Sequence, residues 1–240
     1  SYIWWNKKDI IKLISNIVKK YIYKNTEPYN IAIHFKMSLQ SLIDKPNELL
    51  DLINKCLKPK IVEKKKHGEV FTPMDTVNEM LDKLNDFHLS KYKKSIFEEK
   101  TYKWFDPANG MGNFPIALYY KLMNGLKNII KDYDKRKKHI LENMIYMSEL
   151  NKKNVFITKQ IFDIDNVYNL NLYHGDSLKL NIINEWNIDK FNVIFGNPPY
   201  NKELKRSGAT AYYNEFVDKY IDICDYQTFI IPSRWFAGGK

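Results

Sequence analysis

Arginine and cysteine are scarce in this 240-residue chain. Cys56 and Cys224 are its only cysteines and lie far apart, which excludes a disulfide scaffold and points to a reducing compartment. Only Arg136, Arg206 and Arg234 carry guanidinium groups, so the excess of basic over acidic residues (38 against 28, net +10) is almost wholly lysine. That surplus favours a polyanionic partner, with nucleic acid ahead of membrane. The Lys, Asn, Ile and Tyr richness also fits an AT-rich genome. No apolar run approaches the roughly 18 residues of a membrane helix, and no secretory leader is visible. The expected setting is cytoplasmic and soluble. The five histidines show no metal-ligand spacing with one another or with the cysteines, so no metal site is expected. What is present is ample core material: 44% hydrophobic and 15% aromatic residues exclude wholesale disorder.

Two regions are expected. Residues 1–66 read as helical: Ile10, Leu13, Ile14, Ile17, Val18 and Tyr21 form one apolar stripe, and a second helix opens at Pro46. Pro59 and Lys64–Lys66 read as a hinge or solvated junction. From residue 67 to 240 the pattern alternates. Strands are predicted at 102–105, 145–148, 170–174, 193–195 and 228–231, with helices at 75–84, 114–123, 152–161 and 212–223. Short apolar strands separated by helices imply a parallel sheet covered on both faces. Residues 124–139 read as an insertion loop with helical ends.

Two stretches carry chemistry. Asp106-Pro107-Ala108-Asn109-Gly110-Met111-Gly112-Asn113-Phe114 joins a predicted strand to a predicted helix. Glycines there let backbone approach a ligand, the helix start offers free N–H groups, and the acid can hold an ammonium group. By itself such a turn is also an ordinary strand–helix connection. Gly196-Asn197-Pro198-Pro199-Tyr200 follows a buried-type strand, at the end where open parallel sheets bind ligands. Its prolines stiffen the loop, Asn197 offers an acceptor and Tyr200 a flat face.

Together, in this order, the two stretches resemble those of the N6-adenine DNA methyltransferases of restriction–modification systems. A third piece, Gly68-Glu69-Val70-Phe71-Thr72-Pro73, is similar to that family's N-terminal element. The resemblance runs from about Gly68 to Trp235. It implies an α/β Rossmann-like fold with a doubly wound sheet, and S-adenosylmethionine as methyl donor without a metal. Cofactor contacts would come from Phe71, Thr72, Pro73, Asp106, Pro107, Ala108, Gly110, Gly112 and Phe114. Glu149 would accept the ribose hydroxyls, and Asp176 with Ser177 would meet the cofactor's adenine. The last acids are assigned by position after their strands and fit equally as capping or surface carboxylates. Asn197 and Pro198 would accept the hydrogens of an adenine amino group, Pro199 would stiffen the loop, and Tyr200 would stack on the flipped base.

Arg206, with Lys205 beside it, is expected on a DNA phosphate; solvated loop charge is the equal alternative. Asp51 with Glu63-Lys64-Lys65 imitates a nuclease pattern, but chance explains it better in so charged a segment. Ile230–Trp235 resembles the family's sixth block and lies near the end of the chain. The resemblance therefore implies further strands, a target-recognition domain and a nuclease partner outside it. Double-stranded DNA with a flipped adenine is the expected partner. Competing readings are methylation of protein glutamine or RNA amino groups, or a methyltransferase fold used only for binding.

Overall fold

A computed structural model describes residues 72–163, 166–203 and 209–233. The expected helices over residues 1–66, together with Phe71, Lys205, Arg206 and Trp235, fall outside the described residues.

Five strands make one sheet. They are β1 (Trp104–Asp106), β2 (Ile145–Glu149), β3 (Asn171–His174), β4 (Phe191–Gly196) and, after a separate ribbon, β7 (Cys224–Phe229). The order is β3-β2-β1-β4-β7, and every pairing is parallel. β1 and β4 sit in the middle and are buried almost throughout, which suits their mostly apolar residues, Trp104 and Phe105 in β1 and Phe191, Val193, Ile194 and Phe195 in β4. The order reverses direction beside β1, so the crevice for a ligand opens at the carboxyl ends of β1 and β4.

Helices cover both faces. On one face lie α1 (Met74–Tyr92), α2 (Asn113–Gly125) and α4 (Lys152–Phe162), packed through Val77, Leu81, Leu118, Leu122, Ile157 and Ile161 onto Trp104, Met147 and Phe195. On the other, α5 (Ile182–Trp186) and α6 (Tyr213–Tyr220) pack on Phe105, Tyr146, Phe191 and Ile194. Trp104 and Phe105 are adjacent and serve opposite faces, as the pleat requires. β4 departs from strict alternation. Asn192 and Val193 both donate to the Lys103 carbonyl, at 2.9 and 3.1 Å, and this shared acceptor lets Phe191 join Ile194 on the second face.

Several spans differ from the sequence reading. α1 runs eight residues past Leu84, because Leu81 and Leu84 are continued by His88, buried against Tyr92, Tyr102 and Tyr226. The expected loop over 124–139 is largely helical. Its α3 (Tyr133–His139) is capped by Asp132, whose side chain accepts from Lys135 N at 2.8 Å. The buried Arg136 donates to the carbonyls of Ile130 and Lys131 at 2.6 and 3.1 Å and so closes the preceding turn. Directly after the Asn197–Tyr200 loop, β5 (Asn201–Glu203) and β6 (Ala209–Ala211) form an antiparallel ribbon that the sequence did not suggest. Its polar residues lack the alternation that marks a half-buried strand.

Candidate active site

The carboxyl ends of β1, β2 and β4 converge on one crevice. Asp106 closes β1 and is wholly buried. Its Oδ1 accepts from Ala108 N at 2.9 Å, while Oδ2 is buried with no partner. Burial pushes this carboxyl up to about 8, opposed by the Ala108 hydrogen bond and reinforced by the charge of Glu149.

The glycine turn hangs from β2. Asn109 N donates to Ser148 O at 3.0 Å, and the Asn109 side chain reaches Thr158 Oγ1 of α4 at 2.8 Å. Gly110 has φ +57° and nothing within 4 Å of the place a Cβ would take. Gly112 has φ +97° and leads into α2. Only glycine enters such backbone without strain, so the turn is a cradle open to solvent at Gly110. Glu149 ends β2. Its carboxylate accepts from Gly110 N at 2.7 Å and from Asn151 N at 2.6 Å, which ties the turn to the strand end.

Beyond β3, Asp176 caps a short 3-10 turn by accepting from Leu178 N at 3.0 Å. Ser177 is buried; its hydroxyl donates to the Pro107 carbonyl and shares a hydrogen bond of 2.6 Å with the Ser148 hydroxyl, so it links the ends of β1 and β2. Lys219 and Tyr220 of α6 hold this turn from behind. Lys219 Nζ donates to the carbonyls of Ser177, Leu178 and Leu180 at 2.7–2.8 Å, and Tyr220 OH donates to Ser177 O at 2.7 Å. Burial lowers the Lys219 ammonium, and Asp176 raises it back in part. No periodicity or spacing marks a lysine that folds back across some forty residues to these carbonyls.

At the end of β4, Gly196 has φ +147°, and a Cβ there would lie 2.7 Å from Asp106 Oδ1. The two sequence stretches are thus in direct contact. Asn197 Nδ2 donates to Thr72 Oγ1 at 2.9 Å, while Asn197 Oδ1 is buried with no partner. Thr72 is itself buried, and its carbonyl accepts from Asn113 Nδ2 at 2.9 Å. Burial raises the Tyr200 phenol above its ordinary value, offset in part by a hydrogen bond with Asn197. The Tyr200 ring meets Tyr213 edge-on with centroids 6.5 Å apart. Pro198 is buried and Pro199 half-buried.

Of the residues picked out in the sequence, the described ones lie around the strand ends at different depths, while Phe71, Lys205 and Arg206 fall outside the described residues. Pro73 is exposed, Ala108 half-buried, and Phe114 is turned into the core against Phe195. Among the described residues no group of three or more His, Cys, Asp or Glu could hold a metal ion, and no helix is long and apolar enough to cross a membrane.

The model of the N-6 DNA methylase family matches residues 57–222, from ahead of Thr72 to the end of α6. The chain belongs to this family. Membership in the N-6 DNA methylases implies S-adenosylmethionine as methyl donor. A curated relative from Mycoplasma pneumoniae, described as an uncharacterized adenine-specific methylase, is 23% identical over 85% of this chain and 63% of its own length. The chain thus spans less than two thirds of that relative. Among solved structures, a putative class I S-adenosylmethionine-dependent methyltransferase from Listeria monocytogenes is 14% identical, with a TM-score of 0.53 over 96% of this chain and 74% of that one. DrdV in complex with DNA is 16% identical, with a TM-score of 0.52 over 90% of this chain and 26% of that one. At such identities these structures establish the fold, a Rossmann-like methyltransferase sheet.

The donor set of this N-6 DNA methylase fits that cofactor. The open cradle at Gly110, the unpartnered buried Asp106 Oδ2 and the neighbouring Glu149 and Asp176 offer space and acceptors for a cationic, hydroxyl-rich ligand.

Proposed function

We propose that the protein methylates the N6 amino group of adenine in DNA, within a restriction–modification system. The observation that carries this reading is the Asn197 amide: its oxygen is buried and unpartnered beside the cofactor cradle.

An adenine amino group is a weak nucleophile because its lone pair is delocalised into the ring. Asn197 Oδ1 and the Pro198 carbonyl accept its two hydrogens, draw the nitrogen toward tetrahedral geometry and leave the lone pair pointing at the donor. S-adenosylmethionine, when bound, supplies an electrophilic methyl carbon on a sulfonium. With it in place, the amino nitrogen would take the methyl group as the carbon–sulfur bond breaks, with S-adenosylhomocysteine as the leaving group, and one amino proton would pass to solvent. Asp106 Oδ2 would hold the cofactor's ammonium group, Glu149 its ribose hydroxyls and Asp176 its adenine; Thr72, Pro73 and Ser177 would complete the walls, with Phe71 as the resemblance implies. Tyr200 stacks on the target base, which must leave the duplex to reach a pocket this recessed. Arg206 and Lys205 follow the catalytic loop and contact DNA phosphates; recognition and nuclease functions belong to other domains or partners.

The test is incorporation of labelled methyl into methylation-free DNA, RNA and protein, followed by nucleoside and amino-acid analysis. N6-methyladenine in DNA is expected, lost in Asn197→Ala. Label in glutamine or RNA, or none from a folded protein, would overturn the reading.

A further inference from the structure

Thr72 precedes α1 and lies outside the sheet, yet it touches both halves of the crevice. Its carbonyl accepts from Asn113 at the start of α2, and its hydroxyl accepts from Asn197, 125 residues further along the chain.

We propose that Thr72 is a positioning residue for methyl transfer. Its hydroxyl holds the NH2 edge of the Asn197 amide and so turns the oxygen edge toward the target amino group. This rests on the reading of Asn197 as the acceptor of that amino group.

A primary amide needs such a partner. Its oxygen and nitrogen edges are nearly the same size, and the terminal torsion that exchanges them is broad and roughly two-fold. Turned over, Asn197 would offer two donors to an amino group that needs an acceptor. Asn197's own backbone does not select between the edges. In the proposal the Thr72 hydroxyl selects by presenting a lone pair with its own proton turned away from the amide, since a hydroxyl aimed the other way would donate to the oxygen edge instead; its position is fixed in two ways. Asn113 anchors the Thr72 main chain, and the β-branched side chain restricts χ1. Thr72 and Asn113 are only 6% and 7% exposed, so water competes little for these bonds. Asn197 Oδ1 is left as the one unpaired edge.

Thr72→Val keeps the shape and removes the hydroxyl, whereas Thr72→Ser keeps the hydroxyl. With the full-length protein, saturating DNA and labelled S-adenosylmethionine, Thr72→Val should lower kcat about 10- to 100-fold, a larger factor than any rise in KM for the cofactor, whose wall Thr72 also forms. Thr72→Ser should remain within about threefold of the parent in kcat. On the residual activity of Asn197→Ala, adding Thr72→Val should cost nothing further, because the amide it holds is gone. Effects that multiply in the double variant, or a Thr72→Val loss confined to KM, would overturn the proposal.

A second readout needs no turnover. The side-chain NH2 pair of Asn197, identified in a nitrogen-15 NMR spectrum by its absence in Asn197→Ala, should shift and exchange faster with water in Thr72→Val. An unchanged pair would overturn the proposal. A folded parent protein that transfers no methyl to DNA would defeat the reading of the reaction, and the NMR comparison would then decide the role of Thr72 by itself.

Discussion

The two halves of the crevice treat their polar groups differently. On the β1–β2 side several acceptors are engaged within the fold, although Asn109 Oδ1, like Asp106 Oδ2, is buried without a partner. Glu149 takes two backbone N–H groups, Ser177 ties β1 to β2, and Lys219 closes the turn behind Asp176. On the β4 side the Asn197 amide is held at its nitrogen edge by Thr72, and its oxygen is left bare. An unpaired buried acceptor costs about 1–3 kcal/mol, and a donor brought by a ligand would recover that cost. On the proposed function, the Asn197 side is the half that receives a hydrogen-bond donor from the target base. Asp106 stands between them, with one oxygen engaged and one bare.

The largest effect should come from the bare edge. Asn197→Ala is expected to lower methyl transfer by about 100- to 1000-fold, the usual cost of losing an acceptor or donor aimed at the reacting group. A steady-state rate assay at saturating cofactor checks this. If the loss appeared only in KM, the amide would be a binding contact and the contrast between the halves would fail.

Next is the seam. In Gly196→Ala the new Cβ would stand 2.7 Å from Asp106 Oδ1, on backbone with φ +147°. Destabilisation of about 1–3 kcal/mol is expected, read as a lower midpoint in denaturant. A variant as stable as the parent would mean that the two stretches are not in contact.

Asp106 gives the contrast a pH signature. Its folded-state value, raised to about 8 by burial, lies above its unfolded value. The folded state therefore binds the proton more tightly, and this group's stabilisation is full below the unfolded value and lost as pH rises through about 8. Asp106→Asn should flatten that decline. A cationic ligand favours the carboxylate, so cofactor binding at pH 7 should release about one proton from the parent and none from Asp106→Asn. Calorimetry in two buffers of different ionisation enthalpy measures it.

The smallest effect should be behind the Asp176 turn. Lys219→Met removes donors to three carbonyls and should cost about 1–3 kcal/mol of stability. Cofactor affinity should weaken by a few-fold while kcat at saturation is kept. A fall in kcat without a change in affinity would place Lys219 with the other half.

Much of this was legible in the sequence, for physical reasons that differ by region. A short apolar run such as Val193–Phe195, bounded by turn residues, reads as a buried strand, and the glycine and Asn-Pro-Pro stretches mark strand ends because glycine and proline impose special backbone there. Local pattern reports its own segment. It cannot report that Thr72 meets Asn197, that Glu149 closes on Gly110, or that Lys219 reaches back to Ser177, since each pairing exists only once the sheet has ordered its strands. The β5–β6 ribbon escaped because Asn201–Glu203 has no apolar alternation to betray it. The α3 helix had one usable signal, Asp132 as N-cap, in a segment whose lysines otherwise suggest a solvated loop.

The most direct test of the division between the halves is calorimetric titration of S-adenosylmethionine into the parent and Asn197→Ala. The account predicts binding within about threefold for the two proteins, although only the parent transfers methyl groups efficiently. Loss of cofactor binding in Asn197→Ala would contradict it, because the bare edge would then belong to the cofactor's half of the crevice.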